Sequence, residues 1–167
     1  TSLLPDSILR NENENDFVAK TPYRYALQKV YISFAPERNI HPGDIVIFYR
    51  NGVPGNAGYT AVLTSVAIVE EATSDFRSKE EYMRQVQNRS VFTNDELEQF
   101  WQKYRGNQIV LKFIFVKSLI KRPILKFLWD TDIIAFPSGP RPFTRITDEQ
   151  FNMILNEAQT DLNRYWR

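Results

Sequence analysis

Hydrophobic and polar positions alternate most cleanly over residues 45–50, where Ile45, Ile47 and Tyr49 fall on one face of an extended chain and Val46, Phe48 and Arg50 on the other. β-branched and aromatic residues predominate there, so the period of two predicts a strand with apolar contacts on both faces. Pro42, Gly43 and Asp44 precede it as a turn. The strand ends in Tyr49-Arg50, delivering a ring and a guanidinium where the chain leaves the core, a place where binding groups commonly sit. Residues 61–69 (AVLTSVAIV) and 108–117 (QIVLKFIFVK) predict two further long strands, residues 30–34 a shorter one and residues 143–146 a brief one. Thr64 and Ser65 place two hydroxyls mid-strand, and since neighbours face opposite ways, one of them at most can face a pocket.

The period changes to that of a helix after three capping patterns. Ser78-x-x-Glu81 predicts a helix to about residue 88, Thr93-x-x-Glu96 a second to about 104, and Thr147-x-x-Gln150 a third carrying Phe151, Ile154 and Leu155. Residues 122–129 have the proline and spacing of a short helix, and Thr21-Pro22 opens a helical turn over 21–27. Residues 51–58 (NGVPGNAG) predict a loop free to approach a ligand closely, although they lack the spacing of a phosphate-binding glycine loop. Residues 138–142 predict a turn. Residues 1–20 join a short apolar start to the polar run NENEND at 11–16, which reads as a solvated arm or linker contributing little to the core. The remainder, 21–167, reads as one domain. Strands and helices do not alternate regularly, so the expected class is α+β: a mixed, mainly antiparallel barrel or curled sheet surrounded by helices.

Composition narrows the chemistry. The 167 residues suffice for one substantial core, and 21 basic against 20 acidic residues give no global basic excess, so any nucleic-acid role must rest on a local patch or pocket. The absence of cysteine excludes disulfides, thiolate metal sites and cysteine nucleophiles. His41 is the only histidine and lies in a turn, where it reads as a solvated loop residue; no metal site and no catalytic triad are expected. No apolar run approaches the ~20 residues of a membrane span, and no signal peptide is evident, which fits a cytoplasmic location. The start without Met reads as a domain cut from a longer protein. The neighbouring acids Glu70-Glu71 and the pair Asp130/Asp132 have the residue types for acid–base work, but strand neighbours face apart and the second pair flanks a loop, so structural roles are expected. Trp101 and Trp129 fall in helical apolar patterns and are expected in the core.

The order of motifs is informative as a set. It runs PGDIVIFY (42–49), a glycine loop, a strand ending VAIVEE (66–71), VLKFIF (110–115) with Arg122-Pro123-Ile124, and RPFTRIT (141–147) before the last helix. Over residues 22–156 this set resembles the PUA-like superfamily, and within it most nearly the EVE domains, whose sister group is the YTH domains. The resemblance implies a PUA-like β-barrel whose pocket accepts one flipped, often modified base between aromatic side chains, with edge hydrogen bonds giving selectivity. On this chain the implied base pocket comprises Tyr23, Arg24, Tyr25, Tyr49, Arg50, Ser65, Arg89 and Arg141. Each has a plainer reading beside it: core packing for Tyr49, partly buried surface for Tyr23 and Tyr25, and salt bridges or loop anchors for the arginines. The implied function is a non-catalytic reader of DNA or RNA, without cofactor or metal. The chain is also similar to PUA-like C-terminal portions of some bacterial proteins with an N-terminal acetyltransferase. That implies a second reading, a regulatory or protein-interaction domain with a fused or associated acetyltransferase as partner. An RNA-modifying enzyme is the third.

Overall fold

In the computed structural model, residues 2–5, 28–33, 39–87, 90, 92–104, 107–140 and 143–163 are described. Six strands and five helices occur among them: β1 (Ser2–Pro5), β2 (Gln28–Ser33), β3 (Ile45–Arg50), α1 (Ala57–Thr60), β4 (Val62–Thr73), α2 (Lys79–Val86), α3 (Asn94–Tyr104), β5 (Ile109–Ser118), α4 (Leu125–Asp130), β6 (Thr144–Arg145) and α5 (Asp148–Glu157). The strands are hydrogen-bonded in the order β2-β5-β4-β3-β1-β6. β2 pairs antiparallel with β5 and β1 antiparallel with β6, whereas β1 pairs parallel with β3, Leu3 opposite Ile47 and Pro5 opposite Tyr49. The class is α+β with a mixed sheet, as the alternation predicted.

Two compact units divide the chain, and β4 and β5 each run from one into the other. The first draws on residues 1–7, 44–67 and 116–167. Its core is Ile47, Tyr49, Leu63, Val66, Leu125, Leu128, Ile134, Phe151 and Ile154 with their neighbours. Backbone bonds fasten β4 to the segment after β5: Leu63 N donates to Pro123 O at 2.9 Å and Leu125 N to Ala61 O at 2.9 Å. α5 starts at a capping box, with Gln150 N donating to Thr147 Oγ1 at 3.1 Å and Thr147 N donating to Gln150 Oε1 at 2.9 Å.

The second unit draws on residues 8–43 and 68–115. Val30, Ile32, Phe76, Tyr82, Val86, Leu97 and Val110 form its core, with Trp101 stacked on Tyr82 at 5.5 Å between ring centroids. α3 carries the expected box, Thr93 with Glu96. At α2 the cap is split, because Ser78 Oγ accepts from Glu81 N while the Glu81 carboxylate accepts from Arg77 N.

Two elements depart from the sequence reading. Ser2–Pro5, expected within a loose arm, is a strand bonded on both sides, to β3 and β6. Four residues ending in proline show no alternation, so only the apolar pair Leu3-Leu4 hinted at it. Residues 6–27, with the expected helical turn at 21–27, lie outside the described residues. Within the glycine loop, Ala57–Thr60 form a single helical turn that closes the loop on itself: Thr60 Oγ1 donates to Asn56 O at 2.7 Å and accepts from Val53 N at 2.8 Å. A Cβ on Gly52 would lie 2.3 Å from Thr60 Oγ1, so this glycine serves an internal close approach.

Candidate nucleic-acid interface

β3 places Tyr49 and Arg50 on opposite faces. Arg50 is exposed at the strand end, while Tyr49 is 4% exposed and packs in the core of the first unit. Burial pushes the Tyr49 phenol above its ordinary pKa, because the charged form would lose hydration. The ring is therefore used in packing. A Cβ on Gly139 would stand 3.4 Å from that hydroxyl, so the loop at 135–140 passes directly against it.

On the adjoining strand, the Thr64 hydroxyl donates to Phe48 O at 3.4 Å, which sets β4 beside Tyr49's neighbour. Leu63 and Val66 both belong to the first unit's core. Ser65 lies between them; it is 3% exposed and its Oγ has no hydrogen-bond partner. A buried hydroxyl left unpaired costs on the order of 1–3 kcal/mol.

Two rings of the same unit, Phe136 and Tyr59, escaped the sequence reading. The Trp129 indole Nε1 donates to Ser138 O at 2.7 Å, tying α4 to the loop at 135–140. Phe136 stands edge-on to Trp129 at 5.0 Å and is 74% exposed. Tyr59, 63% exposed, follows Gly58, whose backbone lies against the indole so closely that a Cβ would be 2.8 Å from Trp129 Cζ3. Trp129, expected in the core, is partly buried against it, and also meets the exposed Phe136 ring and the Gly58 backbone. The signal in the sequence was an aromatic residue inside turn chemistry, Phe136-Pro137-Ser138-Gly139.

Two of the four acids singled out in the sequence pair with lysines. Glu71 pairs with the buried Lys112 at 2.7 Å, and Asp130 pairs with Lys126, raising the Lys126 pKa mainly through that hydrogen bond. His41 is exposed beside the turn. Among the described residues no cluster of His, Cys, Asp and Glu could hold a metal ion, and no helix is long and apolar enough to cross a membrane. A polar hollow of about 710 Å³ in the second unit is lined by Asp75, Arg77, Ser78, Glu81, Arg84 and Gln85, none of them a predicted site residue. In the same unit, Tyr82 OH, Gln85 Oε1 and both Gln108 amide atoms are buried without hydrogen bonds of good geometry. Burial raises the Tyr82 phenol pKa to about 12, and the Gln108 side chain, near enough to act on it, offsets this only in part. Of the predicted pocket residues, the structure brings Tyr49, Arg50 and Ser65 onto adjacent strands of one unit. Tyr23, Arg24, Tyr25, Arg89 and Arg141 lie outside the described residues.

The fold is that of solved ASCH and DUF55 domains. ASCH from Zymomonas mobilis matches with a TM-score of 0.59 at 9% identity, over 93% of each chain. Human THYN1, solved in complex with 5-methylcytosine-containing DNA, matches with a TM-score of 0.54 at 12% identity, over 96% of this chain and 98% of that one. A hypothetical protein from Leishmania major matches with a TM-score of 0.55 at 15% identity, over 95% of this chain and 93% of that one. No protein-family model and no curated protein sequence matches the chain.

Proposed function

We propose that the chain is a nucleic-acid-binding module that accommodates one extruded, modified base and acts as a reader, without catalysis. The observation that carries this reading is the buried, unpartnered Ser65 hydroxyl beside the Tyr49 strand. A structure retains an orphaned polar group at a cost, and a base edge is a partner that would satisfy it. Arg50 supplies an exposed guanidinium at the same strand end for a phosphate or a base edge. Tyr23, Arg24, Tyr25, Arg89 and Arg141 complete the proposed pocket. The likeness to a human protein solved with 5-methylcytosine DNA supports nucleic acid as the partner class. With a net charge of only +1, affinity rests on the pocket more than on counterion release, so its salt dependence is shallow.

The test is titration of labelled single- and double-stranded oligonucleotides, with and without 5-methylcytosine, against the parent and Ser65→Ala. Losing one hydrogen bond to a base edge weakens binding about 3- to 10-fold, equivalent to ~0.5–1.5 kcal/mol, while the melting temperature stays level or rises. Equal affinity of parent and variant for every probe removes Ser65 from the site. A parent that binds none of them removes the reading.

A further inference from the structure

We propose that Phe136, edge-on to Trp129, and Tyr59, on the α1 turn packed against the same indole, form a stacking platform for nucleotides flanking the base held near Tyr49 and Ser65; this rests on the reader assignment above. Single exposed apolar residues are ordinary and imply nothing by themselves. These two differ because each is tied to the same indole, Phe136 by its own ring and Tyr59 through the helical turn that carries it. Phe136 meets the indole edge-on at 85°, and the Gly58 backbone presses on its six-membered ring immediately before Tyr59. The indole is pinned in turn by its bond to Ser138 O. Neither ring completes a core; Phe136 is held by its edge contact with the indole, which leaves it less side-chain freedom to lose on binding, and Tyr59 stands on a turn whose backbone packs on that indole.

The surroundings favour a nucleobase as occupant over a protein surface. Around the rings lie the Lys126–Asp130 ion pair and Ser138, leaving small isolated aromatic faces in a polar setting. A flat base stacks on such a face whatever its sequence, whereas a protein interface requires a contiguous apolar patch. Position makes the connection to the reader site. Phe136 and Gly139 are three residues apart, so at most ~11 Å of chain separates the exposed ring from the residue that abuts the Tyr49 hydroxyl. Stacked nucleotides advance ~3.4 Å along a strand, which puts the ring within reach of the first few neighbours of a base held at Tyr49.

Two probes separate the platform from the pocket: free 5-methylcytidine, followed by calorimetry, and a single-stranded DNA of about ten nucleotides carrying one 5-methylcytosine, followed by anisotropy. Phe136→Ala and Tyr59→Ala are expected to weaken oligonucleotide binding about 5- to 100-fold each while leaving nucleoside affinity and melting temperature unchanged, and Phe136→Trp to restore it. The platform is overturned if both alanine variants bind the oligonucleotide within about twofold of the parent, or if nucleoside affinity falls in parallel, which would make the rings part of the pocket itself. It is also overturned if the variants instead abolish self-association, which would make the rings a contact between copies of the chain. Failure of the parent to bind either probe would dispose of the reader assignment and the platform together, an outcome distinct from failure of the variants alone.

Discussion

Gly58→Ala tests the packing of α1 on Trp129, the indole that Phe136 meets edge-on. The added methyl would stand 2.8 Å from Trp129 Cζ3 and 3.3 Å from Cη2, both on a partly buried ring whose nitrogen is bonded to Ser138 O. Forcing a methyl into a filled space costs about 1–3 kcal/mol. Displacing the indole also strains or breaks its hydrogen bond, worth ~0.5–1.5 kcal/mol. Against this, alanine is the better helix former by up to ~1 kcal/mol, and Gly58 lies in the short helix α1. The net cost is roughly 1–3 kcal/mol, which for a chain of this size lowers the melting temperature by about 3–10 °C. Thermal unfolding followed by circular dichroism reads this directly. Trp129→Phe removes the clashing atoms, so Gly58→Ala should cost distinctly less in that background than in the parent. Equal costs in the two backgrounds, or a parent-like melting temperature for Gly58→Ala, would refute the packing argument.

Three further outcomes follow from other contacts. The Tyr31 and Tyr82 phenols are both raised to about 12 by burial, so the protonated form is favoured in the folded state; stability is intact below pH 10 and is lost as pH rises from 10 to 12, by about 3 kcal/mol for each group. Tyr82→Phe, which removes a hydroxyl lacking a well-formed bond, should be nearly neutral at pH 7 and shift the alkaline unfolding midpoint upward; an unchanged midpoint would count against it. Removing residues 1–5 deletes the strand between β3 and β6, so the melting temperature should fall by more than about 5 °C, and a truncated chain that melts with the parent would contradict the sheet order. Thr147→Ala removes one half of the α5 capping box and should cost about 1 kcal/mol in chemical denaturation, with Thr147→Ser restoring most of it.

What could be read from the sequence depended on the signal each element carries. β3, β4 and β5 were legible because six or more residues keep a β-branched and aromatic extended pattern, and α2, α3 and α5 because each has a capping residue at a fixed offset. β1 was hidden, since four residues ending in proline carry no period, and α1 was hidden inside a segment whose glycines signal a loop. At the site, the chemistry of Tyr49 and Ser65 was visible but their orientation was not. A strand apolar on both faces gives no sign of which face a tyrosine joins, and nothing in the composition of β4 tells whether a mid-strand hydroxyl is paired, as Thr64 is, or not, as Ser65 is. Phe136 and Tyr59 were missed for a physical reason: twelve Phe and eight Tyr look alike in a sequence, and only packing distinguishes a ring that fills the core from one that stands outside it.

The central claim is that one base leaves its stack and is held by this chain, and base extrusion can be observed directly. In a duplex with a fluorescent adenine analogue directly beside a 5-methylcytosine, emission rises when the neighbouring base unstacks. The account predicts a saturable rise on adding the parent protein, reduced for Ser65→Ala at equal concentration and smaller for a duplex with unmodified cytosine. Binding with no change in emission for either duplex would contradict extrusion, and a response identical for modified and unmodified DNA would contradict selection of the modified base.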